Sequence, residues 1–314
     1  MQQDKSFEEC LAWVRSQRDS ENGGLYGPQS AMWLIMRENM VTLSGLSAVL
    51  MQLTHPAIAA AGAHGSRMRG DLNGRIRRTF AAMNEIIFGD WATASAAIER
   101  IRRVHQRVRS QSPRQPYRAT DPNLMFWVLA TLIDSSIRAY ELVARPLSRR
   151  DRQDYYTDMK LFGVAMGIPP DCMPATWDDF LRYFEGMVYG DELRVSDTGR
   201  KLAQFLLDSG TARWSGSLAL VTGMLPQRWR ESYGLPWGSK QQRHFALTIR
   251  LLRFTRSFIP VWARYCPAYH QALQRLKAAP SESRTFLARA VIRASLLLRL
   301  PWALSSPALK STPI

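Results

Sequence analysis

Residues 94–109 read ASAAIERIRRVHQRVR, and this stretch has the clearest helical pattern in the chain. Its apolar residues recur at intervals of three and four, and they are Ala94, Ala97, Ile98, Ile101, Val104 and Val108. Three cations, Arg100, Arg103 and Arg107, take the other side. Such a spacing places the apolar side chains on one face of an α-helix. We therefore expect an amphipathic helix with one buried and one solvated face.

The same spacing continues along almost the whole chain, and several helix starts are visible. Asp121 followed by Pro122 is a typical first turn, and Ser148 with Asp151 resembles a capping box. Residues 176–179, Thr-Trp-Asp-Asp, indicate a further start. Later helices are expected around 196–209, 214–223, 226–233 and 240–259. The predicted fold class is all-α, a single-domain helical bundle.

Composition and segment boundaries suit one globular domain with extensions. The 314 residues are 46% hydrophobic, which excludes global disorder and fibrous repeats. We expect an N-terminal helical extension over 1–24, a central domain over 25–260 and a basic amphipathic extension over 261–314. In the last of these, arginines alternate with aliphatic residues between 284 and 299. A helix of this kind lies on an anionic membrane, covers a hydrophobic groove or packs on the protein's own core.

Residues 41–66 contain no Asp, Glu, Lys or Arg over 26 positions and are long enough to cross a bilayer. Polar or helix-breaking residues interrupt them, namely Gln52, Thr54, His55, Pro56 and His64. We expect two buried, closely packed helical pieces broken near Pro56, and a true span remains the alternative. Acidic residues within positions 1–9 disfavour a cleaved signal peptide, so a cytoplasmic protein is expected.

The charge balance is strongly basic. Lys and Arg number 42 against 26 acidic residues, the formal net charge is +16, and 36 of the cations are Arg. An anionic partner is therefore expected somewhere. The three cysteines, Cys10, Cys172 and Cys266, are far apart and form no CxxC pair, so neither a disulfide framework nor a zinc site is indicated.

His105 is the first candidate for chemistry. It follows Ile101 by four positions and precedes Val108 by three, so it is expected on the apolar side of its helix. A neutral imidazole that faces a hydrophobic cavity suits the proximal position of a haem iron. The alternative is a core histidine that donates a hydrogen bond to a backbone carbonyl.

Residues 74–79, Gly-Arg-Ile-Arg-Arg-Thr, form a second constellation. In a helix Arg75, Arg78 and Thr79 share one face, whereas Arg77 points away. Two guanidinium groups and a hydroxyl could hold an anion, orient dioxygen or pair with carboxylates such as haem propionates. A solvated charged face is the competing interpretation.

Residues 52–64 form a third constellation, in which His55 and His64 flank a run of alanines and one glycine. Small side chains allow close helix packing or leave room for a flat ligand. Both interpretations stay open at this point.

At these residues the chain resembles the haem-dependent rubber oxygenase (latex-clearing protein) and MpaB oxygenase family. The matching segments are Gln52–Pro56, Gly74–Thr79, Phe88–Gly89, Val104–Val108, Asp121–Leu124, Trp127–Val128, Leu225–Arg230 and Tyr233–Leu235. The resemblance implies a helical bundle that encloses haem b, with His105 as the axial iron ligand and metal site. It further implies that Arg75 and Thr79 are polar pocket residues. His55 and His64 are further candidates for cofactor contacts.

One position departs from the family. In rubber oxygenases a Lys precedes the motif Thr and can occupy the distal iron position, whereas this chain has Arg78 there. Because a guanidinium stays protonated, Arg78 is a poor iron ligand and a suitable hydrogen-bond donor to dioxygen. Arg75, Arg78 and Thr79 are therefore the expected catalytic residues.

The resemblance implies an oxygenase that uses dioxygen and cleaves carbon–carbon double bonds oxidatively. We expect a small or membrane-dissolved apolar unsaturated substrate of terpenoid or polyisoprenoid type, and peripheral membrane contact through the C-terminal helix. One alternative is a non-catalytic haem-binding protein or a gas or redox sensor. Another is a basic nucleic-acid-binding protein, which is disfavoured because the cations are scattered over most predicted helices. The sequence leaves the oligomeric state open.

Overall fold

The structure is a computed structural model that describes residues 2–17, 23–64, 72–109, 117–208 and 215–277. Over these ranges the protein is all-α and no strand is present, which confirms the predicted fold class. The first helices are α1 (Gln2–Ser16), α2 (Ala31–Met36), α3 (Ser44–Gln52), α4 (Pro56–His64), α5 (Leu72–Phe88), α6 (Trp91–Arg107), α7 (Pro122–Val143) and α8 (Arg149–Met166). The remaining ones are α9 (Trp177–Tyr189), α10 (Asp197–Asp208), α11 (Ser215–Met224), α12 (Gln227–Ser232), α13 (Ser239–Phe258), α14 (Val261–Arg264) and α15 (Pro267–Leu276).

Helix α7 lies at the centre of the molecule. Helices α2, α3, α8, α11 and α13 contact it, so most of its residues are buried, including Trp127, Ile133 and Tyr140. It begins where the sequence predicts, because Oδ1 of Asp121 accepts hydrogen bonds from the N–H groups of Asn123 and Leu124 at 2.9 and 3.2 Å. Such a cap satisfies backbone donors that a helix start leaves unpaired.

The predicted capping box at Ser148 is confirmed, and the helix start predicted at 176–179 contains a second one. The Ser148 side chain accepts from Asp151 N–H and Asp151 from Ser148 N–H at the start of α8. Thr176 and Asp179 make the same exchange at the start of α9. Helix α8 ends at Gly167, whose φ of 98° lies in the left-handed region that favours glycine.

The charge-free stretch forms two helices, α3 and α4, which break before Pro56 as predicted. Among the described residues no single helix is long and apolar enough to cross a membrane. The segments Asn39–Gln52 and Pro56–Gly62 meet that test only as a pair, and they are bent by 108°. The turn between α3 and α4 is buried, since Leu53 is 5% and Thr54 0% exposed.

Helices α5 and α6 form an antiparallel hairpin. Helix α6 begins at Trp91, three residues before the predicted stretch, and Oδ1 of the capping residue Asp90 accepts a hydrogen bond from Thr93 N–H at 2.8 Å. Hydrogen bonds from the backbone and the side chain of Thr93 lower the pKa of Asp90. A Cβ on Gly89 would lie 2.2 Å from the Glu85 carbonyl oxygen, so the tight connection requires glycine.

The segments after α13 pack against the N-terminal half of the chain. The N–H of Cys266 donates to the Arg37 carbonyl at 2.8 Å, and α15 packs on α5. The described part of the expected C-terminal extension, 261–277, thus contacts the region around α2 and α5. The basic pattern over 284–299 lies outside the described residues, and the domain boundaries stay a prediction.

Candidate functional site

His105 lies in the last turn of α6 and is half-buried. It continues the stripe of Ile98 and Ile101, as the spacing predicts. The expectation that Val104 and Val108 lie on the buried side is wrong, because their side chains are 55% and 40% exposed. The buried residues of α6 are confined to its first turns, and the end that carries His105 reaches the surface. An imidazole beside exposed apolar side chains is therefore the central feature of the site.

The α5–α6 hairpin brings the second constellation to the same end. Both helices rise equally per residue, so residues at equal distance from the Gly89–Asp90 turn lie at about the same height. Gly74 to Arg78 therefore lie level with Ile101 to His105. Gly74 is buried, whereas Arg77, Arg78 and Thr79 are exposed. The side chain of Arg75 lies outside the described part of the structure.

The start of α7 also meets the end of α6. The N–H of Ala119 donates to the Val108 carbonyl at 3.0 Å, and Asp121 follows two residues later. The Asp121 carboxylate is near enough to His55 to act on its pKa. The end of α6 and the starts of α7 and α4 thus converge, and they bring His105 and His55 into one region of the fold.

His55 stands directly before α4 and is half-buried. Burial lowers its pKa, and the carboxylates of Glu192 and Asp121 oppose that shift. Its Nδ1 accepts a hydrogen bond from Ala57 N–H at 3.2 Å, so a neutral His55 carries its proton on Nε2. His64 is the last residue of α4, and its side chain lies outside the described residues.

Helix α10 and the segment just before it hold the turn that carries His55. The N–H of Arg194 donates to the Thr54 carbonyl at 2.9 Å. A Cβ on Gly199 would lie 2.8 Å from the Leu53 carbonyl oxygen and 3.6 Å from the Cβ of Ala59. Glycine at this position lets α10 approach the α3–α4 turn closely. The position of His55 therefore depends on a helix far from it in sequence.

Two buried tryptophans were not expected as site residues. Trp127 of α7 and Trp229 of α12 lie edge to face with ring centroids 5.8 Å apart, and each is 1% exposed. Neither indole N–H has a hydrogen-bond partner among the described residues. A buried donor without a partner points to a bound ligand or water. Trp127 and Trp229 both lie in the segments that resemble the family. The sequence does not show, however, whether a buried indole N–H has a hydrogen-bond partner.

The donor set fits haem. Among the described residues, no group of three or more His, Cys, Asp or Glu could hold a metal ion. A single imidazole suffices when a macrocycle supplies the other donors, as in haem. His105 would supply that imidazole, Val104 and Val108 lie beside it, and Arg78 and Thr79 stand on the adjacent helix.

These features describe an all-α protein in which a half-buried histidine, His105, lies at the end of the α5–α6 hairpin. The family model for the ER-bound oxygenase mpaB/B'/rubber oxygenase catalytic domain matches residues 32–254. The chain belongs to this family, which confirms the resemblance. The family name describes oxygenases, so the family is one of oxidoreductases.

Two curated relatives are similar over part of their length. They are uncharacterised proteins of Mycobacterium bovis and Mycobacterium tuberculosis, and each is 27% identical over 164 residues. The match covers 50% of this chain and 64% of each relative. No solved structure matches the chain.

Proposed function

We propose that this chain is a haem b-dependent oxygenase that uses dioxygen on an unsaturated apolar substrate. The observation that carries the proposal is His105, a half-buried imidazole flanked by the exposed side chains of Val104 and Val108. Membership of an oxygenase family supports the reaction class. Haem, when bound, supplies the one-electron and dioxygen chemistry that side chains lack.

His105 would hold the haem through its imidazole, which is the usual role of a proximal histidine. Arg75, Arg78 and Thr79 are the polar groups on the neighbouring helix. A guanidinium is always charged and presents several donors, so Arg78 or Arg75 would pair with propionates or orient dioxygen. Thr79 would donate a hydrogen bond from its hydroxyl group.

His55 and His64 are the further cofactor contacts in the proposal. Because burial lowers the pKa of His55, it would serve as a neutral donor through Nε2. A neutral donor suits an apolar site, since it adds no charge that burial would penalise.

The substrate class follows from the apolar surroundings of His105 and from the family name. Val104 and Val108 offer apolar contacts to a hydrocarbon. We infer a small or membrane-dissolved terpenoid or polyisoprenoid-like molecule, with oxidative cleavage of a carbon–carbon double bond as the reaction.

The test is the visible absorption spectrum of the protein reconstituted with haem b. We expect a strong Soret band that is lost or shifted in His105→Ala and unchanged in His244→Ala, an exposed histidine of α13. If the unmodified protein binds no haem, the proposal fails. If haem binds but no alkene stimulates oxygen consumption, the protein is a haem-binding or sensor protein instead.

A further inference from the structure

Helix α13 has two apolar faces, and only one of them is buried. Thr248 and Ile249 lie on the buried side, with Phe245 half-buried beside them. On the other side Leu247, Leu251, Phe254 and Phe258 are 61%, 55%, 65% and 72% exposed. We call these four residues the α13 stripe. Soluble proteins seldom leave a continuous apolar surface of this kind without a partner.

The four side chains form one continuous surface. Their spacing of four, three and four confines them to about 60° of the helix circumference and a length of about 16 Å. The rings of Phe254 and Phe258 are 4.9 Å apart at 56°, so they form an aromatic pair at the surface. Val261, in α14 directly after the stripe, is 54% exposed and extends the apolar surface.

Contacts on the opposite side fix the orientation of the stripe. Nη2 of Arg256 donates to Oε1 of Glu38 at 2.6 Å. Nε of Arg253 donates to the Leu142 carbonyl at 2.7 Å, at the end of α7. Because both hydrogen bonds would break if α13 rotated, the exposure of the α13 stripe is a property of the packed fold.

The charge of α13 indicates the chemistry of a partner. The helix contains no Asp or Glu, and four of its five cations, Lys240, Arg243, Arg250 and Arg253, are exposed. Arg243 and Arg250 follow one edge of the stripe at helical spacing. An apolar stripe edged by cations is the pattern of a helix that lies in a membrane interface.

The same charges disfavour the other occupants. Residues 278–314 of this chain contain one acidic residue, Glu282, against five cations, so they would bring like charge to α13. A second copy seated on the stripe would place Arg243 and Arg250 against another helix without acids. An anionic lipid surface instead offers phosphates to the cations and an acyl boundary to the phenylalanines.

We propose that the α13 stripe binds peripherally to bilayers that contain anionic phospholipid, with Phe254 and Phe258 inserted and Arg243 and Arg250 at the headgroups. This inference is independent of the haem chemistry. It assigns membrane contact to a described helix rather than to the segment 284–299.

The experiment is flotation of the full chain with vesicles of phosphatidylcholine alone or mixed with phosphatidylglycerol. We expect binding to the mixed vesicles that weakens as salt rises. Phe254→Ser with Phe258→Ser should reduce the partition coefficient at least about tenfold, since the variant loses the burial of two aromatic rings in the acyl boundary. Arg243→Gln with Arg250→Gln should lower both the binding and its salt dependence.

The matched control is Leu181→Ser with Tyr189→Ser on α9, whose side chains are 37% and 70% exposed. This pair should leave vesicle binding unchanged, and melting curves verify that every variant is folded. Equal binding by the Phe254/Phe258 variant would overturn the proposal, as would failure of the unmodified chain to bind. So would a change from dimer to monomer in that variant with vesicle binding retained, which would identify the stripe as a self-contact.

Discussion

Arg256 of α13 donates a hydrogen bond from Nη2 to Oε1 of Glu38, 2.6 Å away, and the two residues are 218 positions apart. The Glu38 side chain is 1% exposed, and Nε of Arg264 lies 3.8 Å from the same oxygen. The Glu38 hydrogen bond raises the pKa of Arg256. A single buried carboxylate therefore joins α13 and α14 to the segment after α2.

Replacement of Glu38 by Gln should destabilise the protein strongly. The change leaves Arg256 and Arg264 close together without their carboxylate, and removal of one partner of a buried ion pair costs roughly 3 kcal/mol. The free energy of unfolding is measured by urea titration. The matched control is Asp154→Asn, which removes the exposed Arg150–Asp154 pair and should cost less than about 0.5 kcal/mol. Equal costs for the two variants would show that Glu38 does not anchor α13.

Asp158 should make stability depend on pH in the direction opposite to a surface carboxylate. Its Oδ2 accepts from Met32 N–H at 2.8 Å, and burial raises its pKa from 3.8 to about 6. Between these values the folded chain binds a proton that the unfolded chain lacks, so this group's contribution to stability rises as pH falls. From pH 7 to pH 5 the gain is roughly 1 kcal/mol.

The contribution of Asp158 is isolated by comparison with Asp158→Asn. The unmodified protein should gain stability relative to the variant as pH falls from 7 to 5, measured by urea titration at each pH. A difference that stays constant over this range would show that the carboxyl is not perturbed.

Gly199→Ala should destabilise the protein by roughly 1 to 3 kcal/mol, because the new methyl group meets the Leu53 carbonyl, which is backbone and shifts only with the turn. Gly186→Ala is the matched control within α9, where a Cβ meets nothing within 4 Å. That variant should gain about 0.5 to 1 kcal/mol from helix propensity. Thermal melting compares the two, and a neutral Gly199→Ala would contradict the close approach of α10.

His55 should titrate below its ordinary value of 6.5, because burial disfavours the imidazolium. In its neutral form the proton should reside on Nε2, since Nδ1 accepts from Ala57 N–H. Nitrogen-15 NMR of the histidine rings measures both, and His55→Gln assigns the resonance. A pKa at or above 6.5, or a proton on Nδ1, would remove His55 as a neutral donor.

Local patterns predicted the helices well. The capping residues Asp121, Ser148 and Thr176 act within their own turn, so their signal is complete in a few residues. The break before Pro56 is likewise local. The exposure of Val104 was not predictable in this way, because periodicity assigns a face but does not show how far neighbouring helices cover it.

The site shows the same division. The sequence predicted His105 on the stripe of Ile98 and Ile101, and it predicted that Arg78 and Thr79 share one face of a helix. The hydrogen bond between Val108 and Ala119 brings the start of α7 to His105. No local sequence pattern predicts this contact. That the indole N–H groups of Trp127 and Trp229 find no hydrogen-bond partner within the described ranges also depends on packing between separate helices.

The sequence by itself determined the helical class, the helix starts and the family, because each depends on residues within a turn or two or on motifs in fixed order. Tertiary structure alone decided which apolar faces are covered. The α13 stripe and Val104 have the composition of core residues, yet they are exposed because no described helix covers them. Burial is a property of what surrounds a side chain, and its surroundings come from distant parts of the chain.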